Sequence, residues 1–257
     1  AEIIELPNSG GNHSSPFGTE NSEYIVAGTR FSVPADGAGG DVPIGSYKEN
    51  FKGHISFVSV DQNSGEMNIA FQLKTPGVNF DLARCGSAKS HGWFFFSCYN
   101  TEQANTLLEV NASQKDKDFI MAVNWKKAEE YIKAGKGQKM DVRYAHNKYD
   151  EATHTATSEI ETEVLVLDVA ELKDICYFIP CPKSPHGCDV DPTGEYIVGS
   201  GKLAALIPVF SFDKLQKAIA DKAFDGEFEG IPIIKYEAAL HGEVKKPGLG
   251  PLHTEFD

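Results

Sequence analysis

Apolar and β-branched residues in this chain fall in runs of four to eight, each closed by Gly, Asn, Asp or Pro. Tyr24–Gly28, His54–Val60, Met67–Leu73, Trp93–Tyr99, Phe119–Trp125, Glu163–Asp168 and Tyr196–Gly199 are such runs, and each reads as a strand. Asp61-Gln62-Asn63-Ser64-Gly65 predicts the tight turn that folds the second run onto the third. A helical period occurs in two places. Trp125–Ala134 carries apolar residues at Trp125, Ala128, Tyr131 and Ile132, and Gly135 stops it; Asp213–Phe224 keeps the period through Leu215, Ile219 and Phe224. Lys136–Ser158 is polar, has no period, and predicts a long excursion. The pattern is that of a β scaffold with short helical insertions.

One element repeats. Leu6-Pro7-x5-His13 leads into Glu23-Tyr24-Ile25-Val26-x-Gly28, and Ile179-Pro180-x5-His186 leads into Glu195-Tyr196-Ile197-Val198-Gly199. Asp191-Pro192-x-Gly194 marks the turn in the second copy, and a third copy opens at Gly250-Pro251-Leu252-His253. Repeats of strand, turn and strand predict a β-propeller, because a single unit cannot bury its own apolar faces. The innermost strand of each blade lines the central channel. One His at an equivalent place in each repeat, His13, His186 and His253, would therefore converge on the axis although the three are remote in sequence.

Composition narrows the partners. An apolar content of 41% and a charged content of 24% over 257 residues argue against a mainly disordered chain. A net charge of −13 disfavours nucleic acid, whose phosphates such a surface repels. No apolar run is long enough to predict a membrane span. The chain opens at Ala1-Glu2-Ile3 and closes at Phe256-Asp257, inside a repeated element, which predicts an internal piece of a longer protein. Cys85, Cys98, Cys176, Cys181 and Cys188 form no CxxC pair and read as small core residues. Cys181-x4-His186-x-Cys188 has the look of half a zinc site without a second half. His54, His91, His146, His154 and His241 read as solvated or core histidines. For His13, His186 and His253 two readings stand side by side: caps that hydrogen-bond between blades, or ligands to zinc, copper, iron or nickel.

Longer motifs sharpen this. Pro182-Lys183-Ser184-Pro185-His186-Gly187-Cys188 and Gly248-Leu249-Gly250-Pro251-Leu252-His253-Thr254 resemble nitrous oxide reductases. So do Phe31-Ser32-Val33-Pro34, Ser97-Cys98-Tyr99-Asn100-Thr101-Glu102 and Gly201-Lys202-Leu203, and the resemblance extends over nearly all of the chain. Asn12-His13-Ser14-Ser15-Pro16-Phe17 and Leu107-Leu108-Glu109-Val110-Asn111 are similar to the atypical branch of that family.

The resemblance implies a partial seven-bladed β-propeller, residues 1–257 being part of the amino-terminal domain, with the carboxy-terminal cupredoxin domain and its dinuclear copper centre outside the chain. It implies two-electron reduction of nitrous oxide to dinitrogen and water at a tetranuclear copper–sulfide cluster held by seven histidines. His13, His186 and His253 match three of these ligands. It also implies a structural calcium: Tyr99 through its backbone carbonyl, Glu102 and Asp118 match its ligands, and Ser184 stands where the family has an Asn. Asp81 falls where the family places an acid near the cluster. The family further implies a periplasmic head-to-tail homodimer fed by a small electron donor such as a cytochrome c or a cupredoxin. The chain alone, with three of seven ligands, is expected to be inactive. An interaction scaffold in which the three His act as structural caps is the alternative.

Overall fold

Three sheets follow one another along the chain. The computed structural model describes residues 4, 6–8, 17–34, 50–100, 118–150, 155–245, 248, 253, 254 and 256. Blade 1 is the antiparallel order β1 (Phe17–Gly18), β2 (Ile25–Gly28), β4 (Phe51–Val60), β5 (Met67–Thr75), with β3 (Val33–Pro34) pairing the start of β4. Blade 2 is β6 (Asn79–Cys85), β7 (Trp93–Asn100), β8 (Phe119–Asn124) and β11 (Cys176–Pro180). Blade 3 is β12 (Pro185–Val190), β13 (Tyr196–Gly201), β14 (Leu206–Ser211) and β17 (Leu240–Lys245). The fold is all-β, with propeller-like blades and short helices, as the sequence pattern predicts.

Blades 2 and 3 share an insertion between their third and fourth strands: a nine-residue helix and then a hairpin. The helices are α1 (Trp125–Lys133) and α2 (Phe212–Ala220). Each is started by a polar side chain at the end of the preceding strand. Asn124 Oδ1 accepts from Lys127 N at 3.0 Å, and Ser211 Oγ accepts from Lys214 N at 3.2 Å, satisfying amides that lack an intrahelical partner. Gly135, at φ +71°, follows the first helix in the left-handed conformation; Lys222, at φ +53°, fills the same role after the second. The hairpins are β9 (Gln138–Asp150) with β10 (Thr155–Asp168), and β15 (Phe224–Phe228) with β16 (Ile231–Ile234); the four-residue helix α3 (Tyr236–Ala239) precedes β17. β10 adds in parallel to the outer strand of blade 1, and β16 adds in parallel to the outer strand of blade 2. Each insertion thus extends the blade before its own. The excursion expected over Lys136–Ser158 is instead largely the β9–β10 hairpin. Its polar strands lie at the outer edge of a sheet, where no apolar period is needed.

Blade 2 lies between the other two, and both of its faces are buried. Phe94 and Phe96 from β7, Met121 and Val123 from β8, and Phe178 from β11 pack with Phe57, Phe71 and Phe80. The alternate residues Trp93, Phe95, Ile120, Ala122, Tyr177 and Ile179 pack with Ile197, Phe210, Phe212 and Leu215. That is why Trp93–Phe96 and Phe119–Val123 read as unbroken apolar runs: a strand covered on both sides shows no polar alternation. Each fully buried Phe contributes on the order of 2–3 kcal/mol of transfer free energy.

The inner strands β6 and β12 lie against one another, and β1 lies against β6. The loops that leave them are fastened blade to blade. Glu20 and Glu23 of blade 1 each stand 3.0 Å from a ring nitrogen of His91 of blade 2, and Glu20 accepts the Ala88 amide at 2.7 Å. Ser87 of blade 2 donates to the Asp191 carbonyl at 2.8 Å, and Lys89 reaches Glu195 at 2.8 Å. Gly194, at φ +72°, lies so close to Ser87 that an added Cβ would stand 1.8 Å from its carbonyl oxygen.

Candidate functional site at the inner-strand ends

The opposite ends of β6 and β12 carry the candidate chemistry. Each strand has an irregularity in its pairing there. One extra residue enters β6 between Phe80 and Ala83, the step that holds Asp81 and Leu82. One extra residue enters β12 between Pro185 and Gly187, and that residue is His186. Bulges re-aim a side chain out of the alternation of its strand. The buried Ser97 hydroxyl joins the two bulges, lying 3.0 Å from both the Leu82 and the His186 carbonyl oxygens.

Three groups come together. Asp81 is fully buried, and its Oδ2 is 3.5 Å from His186 Nε2 and 3.6 Å from Arg30 Nη1 of blade 1. The His186 ring stacks on the His253 ring with centroids 5.3 Å apart and planes at 26°. His186 is mostly buried and His253 exposed. Two of the three repeat histidines therefore meet. His13 lies outside the described residues. Asp81 occupies in blade 2 the place that His186 occupies in blade 3. The repeat pattern missed this blade because its inner strand has an acid where the others have Pro-x5-His; the resemblance alone pointed to it. Among the described residues no three His, Cys, Asp or Glu side chains close on one point at metal-binding distances.

No protein-family model matches this chain. The nitrous-oxide reductase of Pseudomonas fluorescens is 26% identical over 236 residues, covering 92% of this chain and 31% of that protein. That of Stutzerimonas stutzeri is 25% identical over 239 residues, with 92% and 31% covered, and that of Cupriavidus necator 26% identical over 268 residues, with 100% and 35% covered. The chain is distantly related to nitrous-oxide reductases. It spans about a third of the length of these curated relatives. Among solved structures, Kuenenia stuttgartiensis hydrazine synthase superposes with a TM-score of 0.48 at 10% identity, over 93% of this chain and 51% of that one, too low a score to define a shared fold.

A second corner lies beside the first. Cys98 and Phe119 form the last paired rung of β7 and β8, and Tyr99 and Asp118 are the next residues outward in each segment. Asp118 Oδ1 accepts from the Ser184 amide at 2.8 Å, its carbonyl accepts from Cys181 N at 2.9 Å, and Lys183 Nζ stands 3.8 Å from Oδ2. Ser184 is fully buried in a left-handed turn at φ +58°, and its hydroxyl makes no hydrogen bond among the described residues. The structure thus joins Asp118 and Ser184. Glu102 lies outside the described residues.

The other histidines have ordinary surroundings. His54 is fully buried on β4, neither ring nitrogen making a hydrogen bond of normal geometry among the described residues. Burial, then the Lys74 ammonium, pushes its pKa down to about 4, offset only in part by the Asn8 backbone and Asp168. His241 packs edge-on against Tyr196. All five cysteines are free thiols, and burial pushes Cys98, Cys176, Cys181 and Cys188 up in pKa, which suits packing rather than ligation. A cavity of about 470 Å³ at the outer rim, lined by Tyr177, Ile219, Phe224 and Pro232 among others, contains none of the site residues expected from sequence.

Proposed function

We propose that this chain is part of the propeller of a copper enzyme that reduces nitrous oxide to dinitrogen and water, with His13, His186 and His253 among the cluster ligands. The observation that carries this reading is the meeting of His186 and His253 from separate repeats beside the buried Asp81 carboxylate. The distant nitrous-oxide reductases support copper and oxidoreductase chemistry.

The donor set fits the metal. Imidazole is a neutral donor that suits copper. A carboxylate behind a ligating imidazole fixes its ring and leaves the other nitrogen to the metal, and Asp81 stands in that relation to His186. A tetranuclear copper–sulfide cluster, when bound, supplies several low-valent metals that hold nitrous oxide and deliver two electrons. The chain's own part is positional and electrostatic. The bulges present His186 and Asp81 at the strand ends, Ser97 locks the two backbones, and the Phe-rich blade interfaces keep the scaffold rigid. Asp81, buried between Arg30 and His186, is the protonatable group in contact with a proposed ligand.

In the same reading the Tyr99 carbonyl, Glu102, Asp118 and Ser184 hold a structural calcium. The unengaged buried hydroxyl of Ser184 and the carboxylate of Asp118 are hard oxygen donors of the kind Ca²⁺ takes. The reading also places the protein in the periplasm as a head-to-tail homodimer that receives electrons from a cytochrome c or a cupredoxin.

The test is copper content in the intact protein. His186→Ala and His253→Ala are each expected to abolish stable copper loading and the visible absorption of the cluster. Full copper occupancy in both variants would return these histidines to the capping role of a scaffold.

A further inference from the structure

The contacts between inner strands keep one register across two steps. The same separation, 105 residues, relates Arg84 to Asp189 and Asp81 to His186. The same separation, 67 residues, relates Asp189 to Phe256 and His186 to His253. Two rungs therefore cross three successive segments. The upper rung is Asp81, His186 and His253. The lower rung is Arg84, Asp189 and the Phe256 amide, three residues further along each segment.

The lower rung is the tighter one. Arg84 Nε donates to Asp189 Oδ1 at 2.6 Å, and the Phe256 amide donates to Asp189 Oδ2 at 2.8 Å. The Asp189 side chain is almost wholly buried, 2% exposed. The hydroxyls of Thr254 and Ser200, 3.0 Å apart, form a third tie between the same segment and blade 3. Among the described residues His253 has no comparable hydrogen bond or ion pair: it is exposed and touches His186 by ring stacking.

We infer that Asp189 is a positioning residue: it takes the Arg84 guanidinium on one oxygen and the Phe256 amide on the other, and so fixes the phase in which His253 lies against His186. The inference rests on the reading of His186 and His253 as copper ligands. A buried carboxylate with a charged donor on one side and a backbone donor on the other gives strong, directional bonds. A slip of the 253–256 segment by one residue would break the Phe256–Asp189 bond and the Thr254–Ser200 tie, and carry the His253 ring away from its partner.

The experiment uses the intact protein with Asp189→Ala, with Val190→Ala as a core truncation on the same strand. Two readouts are taken: copper affinity, and the rate at which diethyl pyrocarbonate modifies His253 in metal-free protein. For Asp189→Ala, copper affinity is expected to fall about tenfold, the cost usual for a residue behind a ligand. His253 is expected to react faster than in the parent, and Val190→Ala to change neither. Asp189→Asn, which keeps an acceptor oxygen, carries the same readouts if the Ala variant does not fold, and its effect should be smaller in both. An Asp189 variant that matches Val190→Ala in both readouts would overturn the inference. If His186→Ala and His253→Ala also kept their copper, the reading of the site itself would fail; if only they lost it, the positioning role alone would fail.

Discussion

The two ends of the inner strands differ in how their polar groups are used. At the loop end the contacts are short and cross between blades. His91 lies 3.0 Å from each of two glutamates, Ala88 and Ser87 hydrogen-bond across to the neighbouring blades, and Gly194 leaves no room for a methyl group. At the bulged end the contacts are longer, 3.5 Å from Asp81 to His186 and 3.6 Å from Asp81 to Arg30, and the second imidazole is exposed. One end fixes the spacing of the blades. The other brings Asp81, His186 and His253 together at longer distances. A site built on rigid elements keeps its geometry only if the fastening lies elsewhere.

Breaking the fastened end should have the largest effect on stability. Gly194→Ala places a methyl group against the Ser87 carbonyl in a left-handed conformation. It is expected to cost at least about 3 kcal/mol, seen as a lower denaturation midpoint. A loss under about 1 kcal/mol would show that the loops do not fix the blades.

An effect of nearly that size is expected from His54, on the strand that enters blade 1 from the bulged end. Its pKa is about 4 in the fold against 6.5 for an ordinary imidazole. Between these values the unfolded chain binds the additional proton, so stability falls as pH drops from about 6.5 towards 4, by up to about 3 kcal/mol. His54→Leu should flatten that part of the stability–pH curve. An unchanged slope in the variant would place the titration on another group.

The smallest effect sharpens the contrast. His253→Ala in metal-free protein should leave stability within about 0.5 kcal/mol of the parent, because the ring is exposed and its contact is a stack. A larger loss would make His253 a structural cap.

The sequence made the scaffold legible wherever one face of an element is polar or a turn residue ends it. The apolar period and Gly135 marked the first helix, and Asp61–Gly65 marked the β4–β5 turn. Two features were hidden. Blade 2 shows no alternation because both faces are covered, and the β9–β10 strands show none because they lie at an edge. The repeated element singled out His13, His186 and His253; the rings of the last two stack on each other, and His13 lies outside the described residues. The β6 bulge was not legible, since nothing in Phe80–Ala83 distinguishes an extra residue from a regular strand; at β12 the Pro185 and Gly187 on either side of His186 are the signal that could have found it. The Asp189 link was illegible for a plainer reason: its partners lie 105 and 67 residues away.

On the proposed reading one copper site lies where His186 and His253 meet. Diffraction from the intact protein on either side of the copper absorption edge tests it directly. The account expects anomalous density within coordination distance of both imidazoles, with the Asp81 carboxylate behind His186. Copper found only elsewhere in the molecule, with the two rings still stacked on each other, would contradict it.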